Sequence, residues 1–194
     1  IGYSLDGSDP QIRAPLYAER FETDSPVLVS AAAFKPGMKR SYIRRSRIDV
    51  YRPESHGLSC SLYAGFWSAL PDFSRIRPVR TVSPADIGPD AVRRPDDGFG
   101  LVFTGFLMAP AEGHYRFRLL SDDGSRLDVD GRTVVSNDSV HGVVEASGAG
   151  WLSEGRHSVR LEYFEARGGE FLRLDWEGPG IPAGRVPRSA LFPK

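Results

Sequence analysis

Gly113-His114-Tyr115-Arg116-Phe117-Arg118-Leu119-Leu120-Ser121-Asp122-Asp123-Gly124-Ser125-Arg126-Leu127-Asp128-Val129-Asp130-Gly131 is the stretch on which the fold turns. Tyr115, Phe117 and Leu119 alternate with His114, Arg116 and Arg118, the period of a half-buried strand. Asp122-Asp123-Gly124 breaks that strand. Leu127 and Val129 then resume the alternation until Asp130-Gly131. That pair is a strong signal for a two-residue hairpin, because a primed turn needs positive φ. Two strands are therefore joined by a loop that holds adjacent carboxylates. The pair is either turn chemistry or a cation site.

Outward from this centre, the same reading predicts strands over 101–108, 114–120, 126–130, 132–136, 144–151, 157–164 and 171–176. Their regular spacing and Gly-rich turns argue for an antiparallel sandwich or barrel. Leu58-Ser59-Cys60-Ser61-Leu62-Tyr63 opens this module as a further strand. Between 64 and 100, Pro71, Pro78, Pro84, Pro89 and Pro95 leave few clear elements. Ser83-Pro84 reads there as the start of a short helical turn, with Ser83 as N-cap.

Residues 1–53 read as a separate small β module. Tyr3-Ser4-Leu5 is a short strand, Val27 to Phe34 a β-rich run, and Tyr42 to Val50 another strand with Ile48 and Val50 on one face. Pro and Gly punctuate every ten residues or so, and no 3.6-residue apolar stripe is sustained. Arg52-Pro53-Glu54-Ser55-His56-Gly57 forms a short Pro-containing linker between the modules.

Composition bounds function. The chain has 194 residues, 40% hydrophobic and 26% charged, with no net charge. These values are ordinary for a soluble globular protein, and no apolar run is long enough to span a membrane. Residues 1–53 carry nine Lys/Arg against six Asp/Glu, concentrated at Lys39-Arg40 and Arg44-Arg45-Ser46-Arg47. Nucleic-acid binding would want a sustained basic face with interleaved aromatics; these basic residues read as a solvated strand face. Cys60 is the only cysteine, which excludes an intrachain disulfide and a cysteine zinc site. It reads as a small buried hydrophobe.

The ordered motifs of residues 57–192 resemble the PA14 family of β-sandwich domains, found in bacterial toxins, glycosidases and yeast adhesins. The match lies in Gly105-Phe106-Leu107, Gly113 to Phe117, Ser121 to Ser125, Leu127 to Gly131, Leu152 to His157, Leu161-Glu162-Tyr163-Phe164 and Leu172 to Trp176. Residues 1–53 resemble part of the chitobiase/β-hexosaminidase C-terminal module, an immunoglobulin-like sandwich. That match is carried by Tyr3 to Pro10, Ala14 to Tyr17 and Val29 to Phe34. Members of that family carry a further strand upstream of the Tyr3 position, so the chain is expected to be the C-terminal piece of a larger protein, or the module to be incomplete. The fold class expected is all-β: a partial immunoglobulin-like sandwich over 1–53, then a PA14-like antiparallel sandwich over 57–194.

Site residues follow from the carboxylate pair. Neighbouring side chains on a regular strand point to opposite faces, so Asp122 and Asp123 could grip one ion only if a cis peptide swung both to one side. Calcium suits such a site, since it takes six to eight hard oxygen ligands. In calcium-dependent lectin members of the PA14 family a paired Asp motif binds calcium, which holds sugar hydroxyls. The resemblance carries those ligands onto Asp122 and Asp123. The remaining family ligands come from the loop that here reads Glu165 to Glu170. Lectin members often offer Asn near Glu165; a third carboxylate there leaves less neutral space for a neutral sugar. Phe164 and Phe171 flank the loop as candidate aromatic platforms, and Arg167 is a candidate for hydroxyls or an acidic sugar. The alternative is ordinary Asx turn chemistry. Asp128 and Asp130 read as polar-face and turn residues, His114 and His157 as outward strand residues, and Tyr163 and Trp176 as core.

Catalysis is not indicated. There is no Gly-x-Ser-x-Gly elbow, no His-Glu-x-x-His and no carboxylate pair in a glycosidase-like context. The expected role is non-catalytic carbohydrate binding within a larger extracytoplasmic glycoside hydrolase, with a β-N-acetylhexosaminidase-like parent, most simply bacterial. Its partners are polysaccharide or glycan and the parent catalytic domain. The alternative is a structural module that packs on the parent and has no glycan affinity.

Overall fold

A computed structural model describes residues 1–23, 25–48 and 55–194. The chain forms two compact units, Ile1–Arg52 and Pro53–Lys194. The first holds a three-stranded antiparallel sheet of β1 (Gly2–Ser4), β2 (Val27–Ala32) and β3 (Arg44–Ile48), in the order β1-β2-β3. Ala32 and Ser30 are buried beneath it, and the Ser30 hydroxyl donates to the Gly7 carbonyl at 3.1 Å. Val50 and the linker residues 52–54 lie outside the described residues.

The second unit is a sandwich of two antiparallel sheets. One contains β4 (Ser59–Ala64), β5 (Arg80–Val82), β6 (Phe99–Ala109), β8 (Ser125–Val129), β9 (Arg132–Asn137), β11 (Gly155–Glu165) and β14 (Leu191–Phe192). Its order is β5-β4-β6-β11-β8-β9, with β14 added to β6. The facing sheet has the order β10-β7-β12-β13, built from β7 (Gly113–Asp122), β10 (Val144–Leu152), β12 (Phe171–Gly178) and β13 (Ile181–Arg185). All seven strands expected after Gly100 are present.

Alternation puts the inward residues where the sequence placed them. Tyr115, Phe117 and Leu119 are buried against Leu101, Phe103, Leu127 and Leu161, and Cys60, Tyr163 and Trp176 join the same core. Burial at ~25 cal/mol per Å² of apolar surface drives the two faces together. A second cluster lies outside the larger sheet, where Phe73, Trp67, Leu70 and Ile76 of the 65–77 segment pack on Tyr63 and Val102.

Asp130 and Gly131, with φ of 49° and 74°, form the tight turn of the β8–β9 hairpin. His157 departs from expectation: it is buried, hydrogen-bonded through Nδ1 to Asp130 at 2.6 Å and through Nε2 to the Ser153 carbonyl at 2.9 Å. The helical turn expected at Ser83-Pro84 is also absent. A single 3-10 turn forms at Pro89–Ala91 instead, where Pro89 follows Gly88 and supplies the fixed φ of a first helical position.

Asp122-Asp123-Gly124 is a corner rather than a hairpin, because β7 and β8 belong to different sheets. The 138–143 and 166–170 connections cross between sheets at this same end, since Val144 pairs with Ser121, Phe171 with Asp122, and Ser125 with both Tyr163 and Asn137. The Asp130 turn and Ser153 lie at the opposite end.

Candidate functional site

The three crossings bring Asp122, Asp123 and Glu165 together. The Asp122–Asp123 peptide bond is cis, and one carboxylate oxygen from each residue lies within 4.8 Å of the others. Strand parity delivers Glu165: His157, Val159, Leu161 and Tyr163 face inward, so Glu165 ends β11 on the same side.

The three carboxylates have different partners. Asp123 is buried, and both oxygens are engaged: Oδ1 accepts the His141 N–H at 2.8 Å, and Oδ2 accepts the Ala166 N–H at 2.9 Å. It thereby ties both neighbouring loops to the corner. Asp122 is half-buried, and its side chain takes no hydrogen bond among the described residues. Its Oδ2 faces Gly142 and Gly169, where a Cβ would stand 4.0 and 3.6 Å away. Burial, followed by the Asp123 charge, raises its pKa above the usual carboxylate value. Glu165 is 0% exposed. The Tyr163 hydroxyl donates to the Asp122 carbonyl and lies 3.1 Å from Glu165 Oε2. Oε1 of Glu165 is buried without a hydrogen-bond partner among the described residues. Burial first, then the Asp123 charge, pushes its carboxyl up to about 7.

An orphaned buried oxygen beside two further carboxylates is the arrangement a hard cation completes. The donor set is all oxygen, which fits calcium and gives a thiophilic metal nothing to hold.

The other expected residues divide. Phe171 lies opposite Asp122 across the β7–β12 ladder and is 37% exposed, so its ring is partly available. Arg167 is exposed, with its guanidinium carbon 5.5 Å from the Phe66 ring centroid. Phe164 is not available: it is 0% exposed, and a Cβ on Gly124 would stand 2.4 Å from its ring. It lies on the opposite side of β11 from Tyr163 and Glu165, packed against Gly124. Phe66 was missed. It is 64% exposed beside the 166–170 loop, which Asp97 anchors by accepting the Gly168 N–H at 3.0 Å and Arg94 anchors through its ion pair with Glu170. Phe66 follows Gly65 in a stretch without periodicity, so no sequence signal marked it. Asp130 accepts from His157 and Ser158, and Asp128 from Thr133, so neither is placed for the cluster.

With the sandwich and the carboxylate cluster described, the family is settled. The PA14 domain profile matches residues 84–189, and the chain belongs to the PA14 domain family. An anti-sigma factor domain-containing protein shares the fold with a TM-score of 0.61 and 23% identity. That alignment covers 72% of this chain and 48% of the other, so this chain spans about half of that relative's length. The PA14 sugar-binding domain from an RTX adhesin aligns with a TM-score of 0.62 and 20% identity, over 72% of this chain and 99% of the other. The epithelial adhesin 9 A domain from Candida glabrata, solved in complex with Galβ1-3GlcNAc, aligns with a TM-score of 0.54 and 13% identity, over 71% and 88%. No curated protein sequence matches the chain. No helix among the described residues is long and apolar enough to cross a membrane.

Proposed function

We propose that the 53–194 unit is a non-catalytic glycan-binding module whose ligand is held by a calcium ion between Asp122, Asp123 and Glu165. The observation that carries this reading is the buried Glu165 Oε1, without a hydrogen-bond partner among the described residues, in a cluster whose three carboxylates each bring one oxygen within 4.8 Å of the others. Bound calcium would offset the three negative charges and present further coordination positions to sugar hydroxyls. Asp122 holds the rim of the site, Asp123 fixes the corner, and Phe171 and Phe66 take the platform role that Phe164 does not fill. Arg167 stands beside Phe66 as the hydrogen-bonding group. The names of the RTX adhesin domain and of the Candida glabrata complex support the sugar class.

Within a larger chain, this unit would tether a secreted glycoside hydrolase to its substrate and raise the local substrate concentration without new catalytic groups. A β-N-acetylhexosaminidase-like parent and an extracytoplasmic, bacterial setting complete the reading, with the 1–53 unit as a partial chitobiase C-terminal-like module. A second reading, a structural module packing on the parent catalytic domain, is favoured by one observation: Asp123 spends both oxygens on backbone N–H groups. A glycan array probed with the full chain in calcium, in chelator, and with Asp122→Asn separates the two. Calcium-dependent spots lost in the variant support the glycan module. Binding to the separately expressed parent catalytic domain, with a blank array, supports the structural one.

A further inference from the structure

The outer face of the four-stranded sheet carries chemistry that the carboxylate cluster does not use. Trp151 sits on the edge strand β10 and is 61% exposed. It pairs with His114 across the ladder, the two rings meeting edge to face at 5.2 Å and 87°. Two residues further along the same face, Ala149, Arg116 and Glu177 form the next row, and Arg116 Nε lies 3.4 Å from Glu177 Oε1. A groove of about 550 Å³ opens here between His114, Arg116, Ala149, Glu177 and Pro182. At the far end of the same face, a second groove of about 600 Å³ runs beside Phe171, Arg173 and Arg185. Eight residues of β7 separate the two ends, about 26 Å at a rise of ~3.3 Å per residue.

An exposed indole on a sheet face is informative in a way that scattered surface aliphatics are not. Its setting selects the partner. A protein interface needs a contiguous apolar centre, and here the larger apolar side chains are split, with Trp151 at one end, Leu120 and Phe171 at the other, and Arg116, Arg118, Ala149 and Ser147 between them. A polyanion needs a net positive field, yet Arg116 pairs with Glu177, Arg173 with the buried Asp175 that Arg118 also approaches at 4.0 Å, and Arg185 with Asp86 at 3.2 Å, while Glu145 adds a fourth negative charge to the face. A pyranose needs a flat apolar ring with fixed donors and acceptors beside it, and that is what the Trp151 end supplies. The edge-on His114 ring braces the indole, while small residues on β10 leave the approach open.

We propose that this face is a second, metal-independent contact for a neutral polysaccharide chain, anchored on Trp151 and hydrogen-bonded by Arg116 and Glu177. Its direction along the sheet leads toward Phe171. The site stands apart from the calcium reading and survives if that reading fails.

The test is depletion of the full chain from solution by insoluble chitin, cellulose or xylan, with EDTA present throughout to silence the carboxylate cluster. At least one of the three polysaccharides is expected to retain the wild-type chain. Trp151→Ala should lower that retention at least about tenfold, Trp151→Phe should keep most of it, and Arg116→Ala should weaken it independently. Thermal melting confirms that each variant is folded. Absence of EDTA-resistant retention, or a folded Trp151→Ala variant that binds as well as wild type, overturns the proposal. Concentration-dependent self-association abolished by Trp151→Ala would overturn it equally, by giving the face to a second copy of the chain.

Discussion

Asp122 and Asp123 are neighbours in sequence with different tasks, and substitution separates them. Asp123→Ala leaves two partly buried backbone N–H groups without acceptors, at a cost of about 2 kcal/mol. Its melting temperature should fall even in chelator. Asp122→Asn breaks no hydrogen bond among the described residues, so melting in chelator should be nearly unchanged while the response to calcium is lost. Glu165 gives a pH signature in metal-free protein. Its folded value of about 7 lies above the ordinary 4.5, so its contribution is complete below about pH 4.5 and is lost as pH rises toward 7. Glu165→Gln should therefore raise the melting temperature of the metal-free chain at neutral pH and abolish stabilisation by calcium. The aspartate pair was legible because two adjacent acids before Gly-Ser have few roles. Phe164 was misread because alternation reports which face a residue takes and is silent on whether a loop covers that face.

The longer strands of the sandwich were readable from period-two alternation, since each has one face on the common core. β5, β13 and β14 were not: β5 and β14 are only three and two residues long, and Pro182 and Gly184 interrupt β13, where an edge strand tolerates both because its outer hydrogen bonds are unmade. The hairpin between β8 and β9 was legible in Asp130-Gly131. Gly131→Ala, at φ 74°, should cost about 1 kcal/mol, visible as a lower denaturation midpoint. The burial of His157 was hidden, because its partners arrive from that turn and from Ser153. Both partners are acceptors, so the ring carries two N–H groups. Burial alone would lower its pKa, but the hydrogen bonds to Asp130 and Ser153 outweigh it and the net shift is upward. The stabilisation is thus complete below pH 6.5 and is lost as pH rises through the raised folded value. The stability gap between wild type and His157→Gln should narrow as pH rises above neutrality.

At the scale of the molecule, two compact units and the acidic cluster at one corner of the second make a simple expectation. Calcium should stabilise the unit that holds the cluster and leave the transition of the 1–52 unit where it was. At about 100 times Kd the gain is about 2.7 kcal/mol, roughly 8 °C for a domain of this size. Residues 1–52 were readable as β-rich and separate; the pairing order of their three strands was not, because short strands with few buried side chains leave register weakly specified. The most direct measurement is isothermal titration of calcium into the metal-stripped chain, run beside Asp122→Asn. Saturable one-to-one binding in the micromolar range, absent from the variant, is the expected result. Heat that does not saturate with wild type, or equal binding by the variant, would contradict a calcium site at this corner and return the aspartate pair to tying loops.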